Sequence, residues 1–489
     1  MATTQEALLA LERRAKWLDG PLVPLIGPKP CERELPRLVR SDARRRQPFG
    51  PSRHDWTCDT FVLPAAFPRS TRKATVTPSG HTNSATGTSA ATPGPSPAAA
   101  ARTKPDPLQL YKALLEKQVE AHQEQISVDD ESEVQTQQQL YLAVNRYKRA
   151  RTDDTQSSSD PVLTLVFAHA NGFHKEIWEP TMADLLDEME RTSGARQVGE
   201  IWSLDACNQG DAGVLNEAVL GETFNWADHG RDIAQFLISY LDDPTRPASA
   251  DNEMLPQVHA DAALLSLETA QSTPGASKSA SRVFRNRLVV GVGHSLGGGG
   301  MAYAASAVPS VFSSMIFCDP VIVPIDVARS VAGLTTGALI RRERWPSKEE
   351  AKNGFLKKAF FQKWDSRVLG LYCSAGLKEL SDGTVALKCR AKDEALVFCD
   401  PMANASRRAC TRLSLVPASL KTHFVFADKG VSVLSEDMIE SVLKTIPHAT
   451  FSRVKGAGHL VAQEDPKQTA ERIADFLKET YSVKQTAKM

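Results

Sequence analysis

Gly291-Val292-Gly293-His294-Ser295-Leu296-Gly297-Gly298 decides the fold. Before it, Arg287-Leu288-Val289-Val290 is a short apolar run that reads as a buried strand. After it, Met301-Ala302-Tyr303-Ala304-Ala305 consists of good helix formers. Strand, tight glycine turn and helix are the setting in which G-x-S-x-G becomes a nucleophile elbow. The serine hydroxyl then projects from a sharply turned position at the strand end. The flanking glycines are needed because a side chain would clash inside that turn. The N-terminus of the following helix favours negative charge near the serine.

Outward from the elbow, strand and helix patterns alternate. Residues 140–147 alternate like a half-buried strand, and Val162-Leu163-Thr164-Leu165-Val166-Phe167-Ala168 is apolar almost throughout, as a strand covered on both faces is. A helix over 182–191, a strand over 200–205 and an amphipathic helix over 226–241 follow. Beyond the elbow come strands at 314–318, 422–427 and 449–454, with helices at 436–445 and 469–480. This rhythm predicts an α/β fold with a mostly parallel sheet covered by helices. Residues 321–415 break it with helical patterns at 348–364 and 367–378. They are expected to form a helical cap over the carboxyl edge of the sheet, where ligands bind in open α/β sheets.

The expected organisation is an N-terminal extension over 1–67, a disordered linker over 68–106, a core over 107–320 and 416–482, the cap, and a tail over 483–489. In the extension, Leu8-Leu9-Ala10-Leu11 with Trp17-Leu18 fits one short amphipathic helix. Thr60-Phe61-Val62-Leu63-Pro64 fits an edge strand, and the basic run 37–46 reads as a solvated loop. The linker and an insertion at 242–284 are rich in small and polar residues and have too little apolar surface to offset chain entropy. Residues 107–126 carry helical spacing, and the acidic, Gln-rich 127–138 reads as loop.

The 489 residues carry 58 basic and 58 acidic side chains, so no global charge points to nucleic acid. The eight cysteines include no CxxC pair and read as reduced, structural thiols of an intracellular protein. The N-terminus lacks a signal-peptide core, and no apolar run approaches the ~20 residues of a membrane span.

A serine hydroxyl needs a base, an acid to orient that base, and N–H donors for the oxyanion. Ser295 is the candidate nucleophile. His459, in Lys455-Gly456-Ala457-Gly458-His459-Leu460, is the candidate base, because in such folds the histidine comes last along the chain. His294 points the other way at the elbow and reads as a packing residue. The oxyanion donors are expected to be the amides of Leu296 and of Asn171, in the turn His169-Ala170-Asn171-Gly172-Phe173. His169 is expected to hold that turn. Two aspartates compete for the acid. Asp319 follows the strand 314–318 and is favoured; Asp428 follows the strand 422–427 and is the alternative. For either, the structural reading is a solvated loop residue or helix cap.

With these residues laid out, 140–482 resembles an α/β-hydrolase. More narrowly, His169-Ala170-Asn171-Gly172-Phe173-His174-Lys175-Glu176 with Trp178-Glu179-Pro180 resembles the fungal peroxisomal hydrolases, which include a yeast peroxisomal lipase and hydrolases of host-selective toxin biosynthesis. Arg344-Trp345-Pro346-Ser347 and Ser381-Asp382-Gly383-Thr384-Val385 resemble the caps of bacterial relatives. The resemblance implies ester or thioester hydrolysis by a serine triad, with neither metal nor organic cofactor. The apolar cap residues Leu334, Leu339, Phe355, Phe360, Phe361, Leu369 and Leu371 are expected to pack cap helices or to line an acyl pocket, which makes a lipid-like substrate the favoured one. The alternatives are a ligand-binding protein without turnover and a lyase using the same serine and histidine. Epoxide hydrolase and haloalkane dehalogenase chemistry would need a carboxylate where Ser295 stands. Ala487-Lys488-Met489 fits the small–basic–apolar pattern of a peroxisomal address, so an import receptor is an expected partner and the peroxisome the expected location, with the cytoplasm as the alternative.

Overall fold

The computed structural model describes residues 4–14, 22–30, 33–38, 47–76, 106–123, 126–149, 161–241, 253–254, 284, 287–327 and 329–482. Trp17 and Leu18, the basic run beyond residue 38, most of the linker 68–106, most of the insertion 242–284 and the tail with Ala487, Lys488 and Met489 lie outside these residues.

Twelve strands are described: β1 (Trp56–Pro64), β2 (Tyr141–Arg149), β3 (Val162–Ala168), β4 (Val198–Leu204), β5 (Glu253–Met254), β6 (Arg287–His294), β7 (Ser314–Cys318), β8 (Arg344–Trp345), β9 (Leu377–Glu379), β10 (Val385–Leu387), β11 (Lys421–Phe426) and β12 (Thr450–Arg453). Nine of them form one sheet in the order β12-β11-β7-β6-β3-β4-β2-β1-β5. From β12 to β4 every neighbouring pair is parallel, while β2 runs antiparallel to β4 and β1. The sheet is therefore mostly parallel, and its central strands are buried on both faces. Val289 and Phe317 pack into one apolar layer with Trp202, Phe236 and Met301. Val290, Val292 and Ile316 pack into the other with Trp178, Leu185 and Ile473. Continuous apolar runs such as 162–168 follow from that double burial.

The helices covering the sheet begin where side chains can accept from their free amides. Asn225 Oδ1 accepts from Ala227 N at the start of Trp226–Gln235, Ser435 caps Glu436–Thr445, and Asp465 caps Pro466–Tyr481. In the stretch expected as loop, Asp130 caps a short helix, Glu131–Thr136. Its cap outweighs its weak periodicity.

β1 begins four residues before the expected edge strand. It pairs along its whole length with β2 and, at Phe61 and Val62, with β5. The residues it adds, Trp56–Asp59, include Asp59, a charged side chain that is nevertheless buried in the sheet.

Between β7 and β11 the chain rises over the carboxyl ends of the strands. Here a small sheet β8-β10-β9 joins the helices Ala332–Ile340, Lys348–Leu356, Ala359–Gln362, Ser366–Ala375 and Ala391–Phe398, before Asn404–Leu413 returns to pack beside Leu296–Ala307 in the core. The single helix expected over 348–364 is broken at Lys358, whose backbone is extended (φ −103°, ψ 128°). The one expected over 367–378 ends at Ala375, and Leu377–Glu379 pairs as a strand.

Candidate active site

β6 lies between β3 and β7, with Gly293 level with Ala168 on one side and Phe317 on the other. At its end Ser295 takes φ 54° and ψ −114°, a strained conformation for a residue with a side chain, and Leu296–Ala307 begins at once. The turn has no room for bulk. A Cβ on Gly293 would stand 2.4 Å from Gly297 O, and one on Gly297 would stand 2.3 Å from Ala168 O. Main-chain bonds pin the turn on both sides: Ser295 N donates to Cys318 O and Gly297 N to His169 O.

His459 lies in the loop between β12 and the short helix Val461–Glu464. Its Nε2 is 3.0 Å from Ser295 Oγ, and its Nδ1 is 2.7 Å from Asp319 Oδ2. Asp319, directly after β7, is fully buried. Its carboxylate also accepts from Ala427 N (3.0 Å), Ser432 Oγ (2.7 Å) and Val433 N (3.2 Å). Burial alone would raise its pKa. The His459 imidazole, helped by the Ala427 amide and the Ser432 hydroxyl, outweighs burial and holds it below the ordinary carboxylate value.

Asp428 stands apart from this line. It is partly exposed, and its carboxylate accepts from Lys429 N and Gly456 N, each at 2.8 Å. It therefore braces the His459 loop from outside. Glu464 does the same within the loop, accepting from Gly458 N at 2.9 Å.

Asn171 and Leu296 border the same cavity as Ser295. The Asn171 side chain is turned to structural work: Nδ2 donates to Glu394 O at 3.0 Å and Oδ1 accepts from Gln209 Nε2 at 2.6 Å. Among the described residues the main-chain amides of Asn171 and Leu296 have no protein acceptor. Leu296 N is also the first amide of its helix, where the dipole is positive. His169 is buried, accepts from Ala206 N through Nε2, and is pushed by burial down to about 4.

Beneath the Asn171 turn lies a cluster that pattern reading missed. The buried Lys175 Nζ meets Asp205 Oδ2 at 2.9 Å, Asp211 Oδ2 at 2.5 Å and Glu176 Oε1 at 3.1 Å. Ser432, Gln209 and Glu394 were missed as well. Apart from Lys175 and Glu176, which are neighbours in the chain, these act across long sequence separations that leave no local periodicity.

Above Ser295 opens a cavity of about 650 Å³. Its walls are mainly apolar and aromatic, with Phe173, Leu334, Phe355, Phe360, Phe361 and Trp364 among them. Of the apolar residues expected in the cap, Leu339 and Leu369 pack inside apolar clusters instead. No group of three or more His, Cys, Asp or Glu among the described residues is placed to hold a metal ion.

Comparison with known proteins agrees with this layout. Over residues 165–472 the chain matches the model of the alpha/beta hydrolase family. It is 25% identical over 245 residues, 49% of this chain, to the type I acyl-CoA thioesterase mpaH of Penicillium brevicompactum, and the match spans 44% of that protein. It is 28% identical over 222 residues to the abhydrolase domain-containing protein AFT2-1 of Alternaria alternata, covering 39% of this chain and 82% of that one. Among solved structures, the peroxisomal alpha-beta-hydrolase Lpx1 of Saccharomyces cerevisiae superposes with a TM-score of 0.57 at 17% identity, over 89% of this chain and 93% of that one. The matched region includes the elbow, the cap segment and the His459 loop, and so the chain belongs to the alpha/beta hydrolase family.

Proposed function

We propose that this protein is a serine hydrolase that cleaves a carboxylic ester or thioester with an apolar acyl group. The observation that carries the reading is the position of His459, with Ser295 Oγ at 3.0 Å on one ring nitrogen and the buried Asp319 at 2.7 Å on the other. Support also comes from the apolar cavity above Ser295 and from a relative named as an acyl-CoA thioesterase.

In the reaction, Ser295 Oγ attacks the acyl carbon while His459 Nε2 takes its proton. The resulting imidazolium is stabilised by Asp319. The oxyanion is held by the amides of Leu296 and Asn171. Collapse expels the alcohol or thiol, which receives the proton from His459, and leaves an acyl ester on Ser295. Water, deprotonated by the same imidazole, then releases the carboxylic acid and restores the serine. We assign the protein to the peroxisome through Ala487-Lys488-Met489; a fluorescent fusion should lose its punctate location when those three residues are removed.

The test is labelling with a fluorophosphonate followed by peptide mapping. The wild type should be labelled at Ser295, and Ser295→Ala should lose both the label and at least about 10⁴-fold in ester hydrolysis. A folded wild type that takes no label would overturn the assignment in favour of a binding protein. Turnover of a carbon–carbon substrate with no ester cleavage would indicate a lyase.

A further inference from the structure

The cavity above Ser295 has a second chemical character at its rim. Arg329, Arg341, Arg342 and Lys358 line it together with the aromatic residues. Its carboxylates are already committed. Glu394 pairs with Arg341 Nε at 2.6 Å, Asp400 accepts from the amides of Ala405 and Ser406, and Glu464 accepts from Gly458 N. The other three cations have no carboxylate partner among the described residues. Arg329 Nη1 donates to Val433 O at 3.0 Å. Arg342 Nε donates to Arg344 O at 2.8 Å, its guanidinium 5.4 Å from the centre of the Trp345 ring. Lys358 stands exposed at the break between two helices, next to Lys357.

These three cations come from three separate segments and line one cavity. A substrate that filled the cavity would cover part of their hydration. A neutral substrate would return nothing for that loss, whereas an anionic one would supply charge-assisted hydrogen bonds. Their positive field also draws anions toward the opening.

We infer that Arg329, Arg342 and Lys358 read a phosphate-bearing leaving group, so that the substrate class is an apolar acyl ester or thioester of a phosphorylated alcohol or thiol. This rests on the hydrolase reading of Ser295. The acyl chain enters between Phe355, Phe361 and Trp364, and the phosphates remain at the rim. Such a group has two sources, a soluble phosphorylated carrier thiol and a phospholipid.

The experiment separates binding from turnover. Coenzyme A, N-acetylcysteamine (a neutral thiol) and vesicles of phosphatidylcholine with or without phosphatidic acid are offered to the full chain. Binding is read by calorimetry or sedimentation, and hydrolysis is read on the matching acyl thioesters. Coenzyme A should bind at least tenfold more tightly than N-acetylcysteamine, and less tightly as salt is raised. Arg342→Ala with Lys358→Ala should raise KM for the acyl-coenzyme A at least tenfold and leave that for the acyl-N-acetylcysteamine within twofold. Lys358→Arg should retain most of the affinity. Binding of phosphatidic acid vesicles instead of coenzyme A, abolished by the same double substitution, supports the rim and assigns the lipid source. Equal handling of neutral and phosphorylated ligands, with no effect of the double substitution, would overturn the inference while leaving hydrolysis intact. Phosphate-dependent binding with no turnover of any ester would instead overturn the hydrolase reading and leave the rim standing.

Discussion

His294 donates from Nε2 to the main-chain oxygen of His459, 2.9 Å away. The residue beside Ser295 thus ties the loop of its neighbouring imidazole to the end of β6. Burial, together with the charge His459 can acquire, lowers His294 to about 3, so the ring stays neutral across ordinary pH and always presents this donor. His294→Ala should lower kcat about tenfold with little change in KM and cost roughly 2–3 kcal/mol of stability. Steady-state kinetics beside a denaturant titration would separate these effects. A large rise in KM with unchanged kcat would contradict the tether.

Asp319 and Asp428 bear on His459 in different ways, one on the ring and the other on its loop. Asp319→Asn should reduce kcat by about 10³–10⁴ with the fold retained, while Asp428→Asn should stay within about threefold. The low pKa of Asp319 means that its carboxylate bonds contribute fully above the ordinary carboxylate range and are lost as pH falls through the depressed value. Acid unfolding of Asp319→Asn should accordingly begin from a less stable protein but follow a shallower slope. The same kinetic loss in both variants would contradict this division of labour.

Lys175 holds three carboxylates in a buried place. Lys175→Met should cost on the order of 3–5 kcal/mol, because the fully buried Asp205 would be left without its cation and Asp211 would lose Lys175 and keep Lys388. Chemical denaturation reads the loss directly. Adding Asp205→Asn to Lys175→Met should recover part of it, since that removes one of the stranded charges. No recovery would mean that packing, rather than charge, sets the cost.

Asp400 is pushed by burial up to about 7, even though it accepts from the amides that open the helix Asn404–Leu413. A carboxyl raised in the folded state binds a proton there that the unfolded chain has already released. Stability from this group is therefore present at acid pH and falls as pH rises from about 4 to about 7. Asp400→Asn keeps an acceptor for the helix and removes the titration. The variant should lack a decline on the order of 3 kcal/mol between pH 5 and 8 that the wild type shows in thermal or urea unfolding. Parallel stability profiles for the two proteins would refute it.

The parts legible in the sequence are those fixed by backbone chemistry. The elbow is readable because only glycine fits between Ala168 O and the turn. The central strands are readable because double burial makes them apolar throughout. Asp319 and Asp428 look alike in sequence, since each follows a strand and β7 and β11 are neighbours. What separates them is burial and contact: Asp319 is fully buried with its carboxylate on the His459 ring, whereas Asp428 is partly exposed and accepts from main-chain amides. Lys175, Asp205 and Asp211 look like ordinary surface charges until the fold buries them together. The first half of β1 carries Asp59, a charged residue buried by the fold and not by any local pattern.

The whole segment that walls the cavity leaves the sheet at the end of β7 and returns to it at β11, two strands already hydrogen-bonded to each other. Because the two strands are parallel, with Lys421 level with Ser314, the segment leaves at the carboxyl edge and must cross back to the amino edge before β11 begins. For protein engineering this makes the returning helix Asn404–Leu413 part of the core and not of an exchangeable cap. A graft that exchanges the cavity wall should therefore keep Asn404–Leu413, whose Ala405, Ala409 and Leu413 pack with Met301 and Tyr303, and with it an unchanged Ser295, His459 and Asp319.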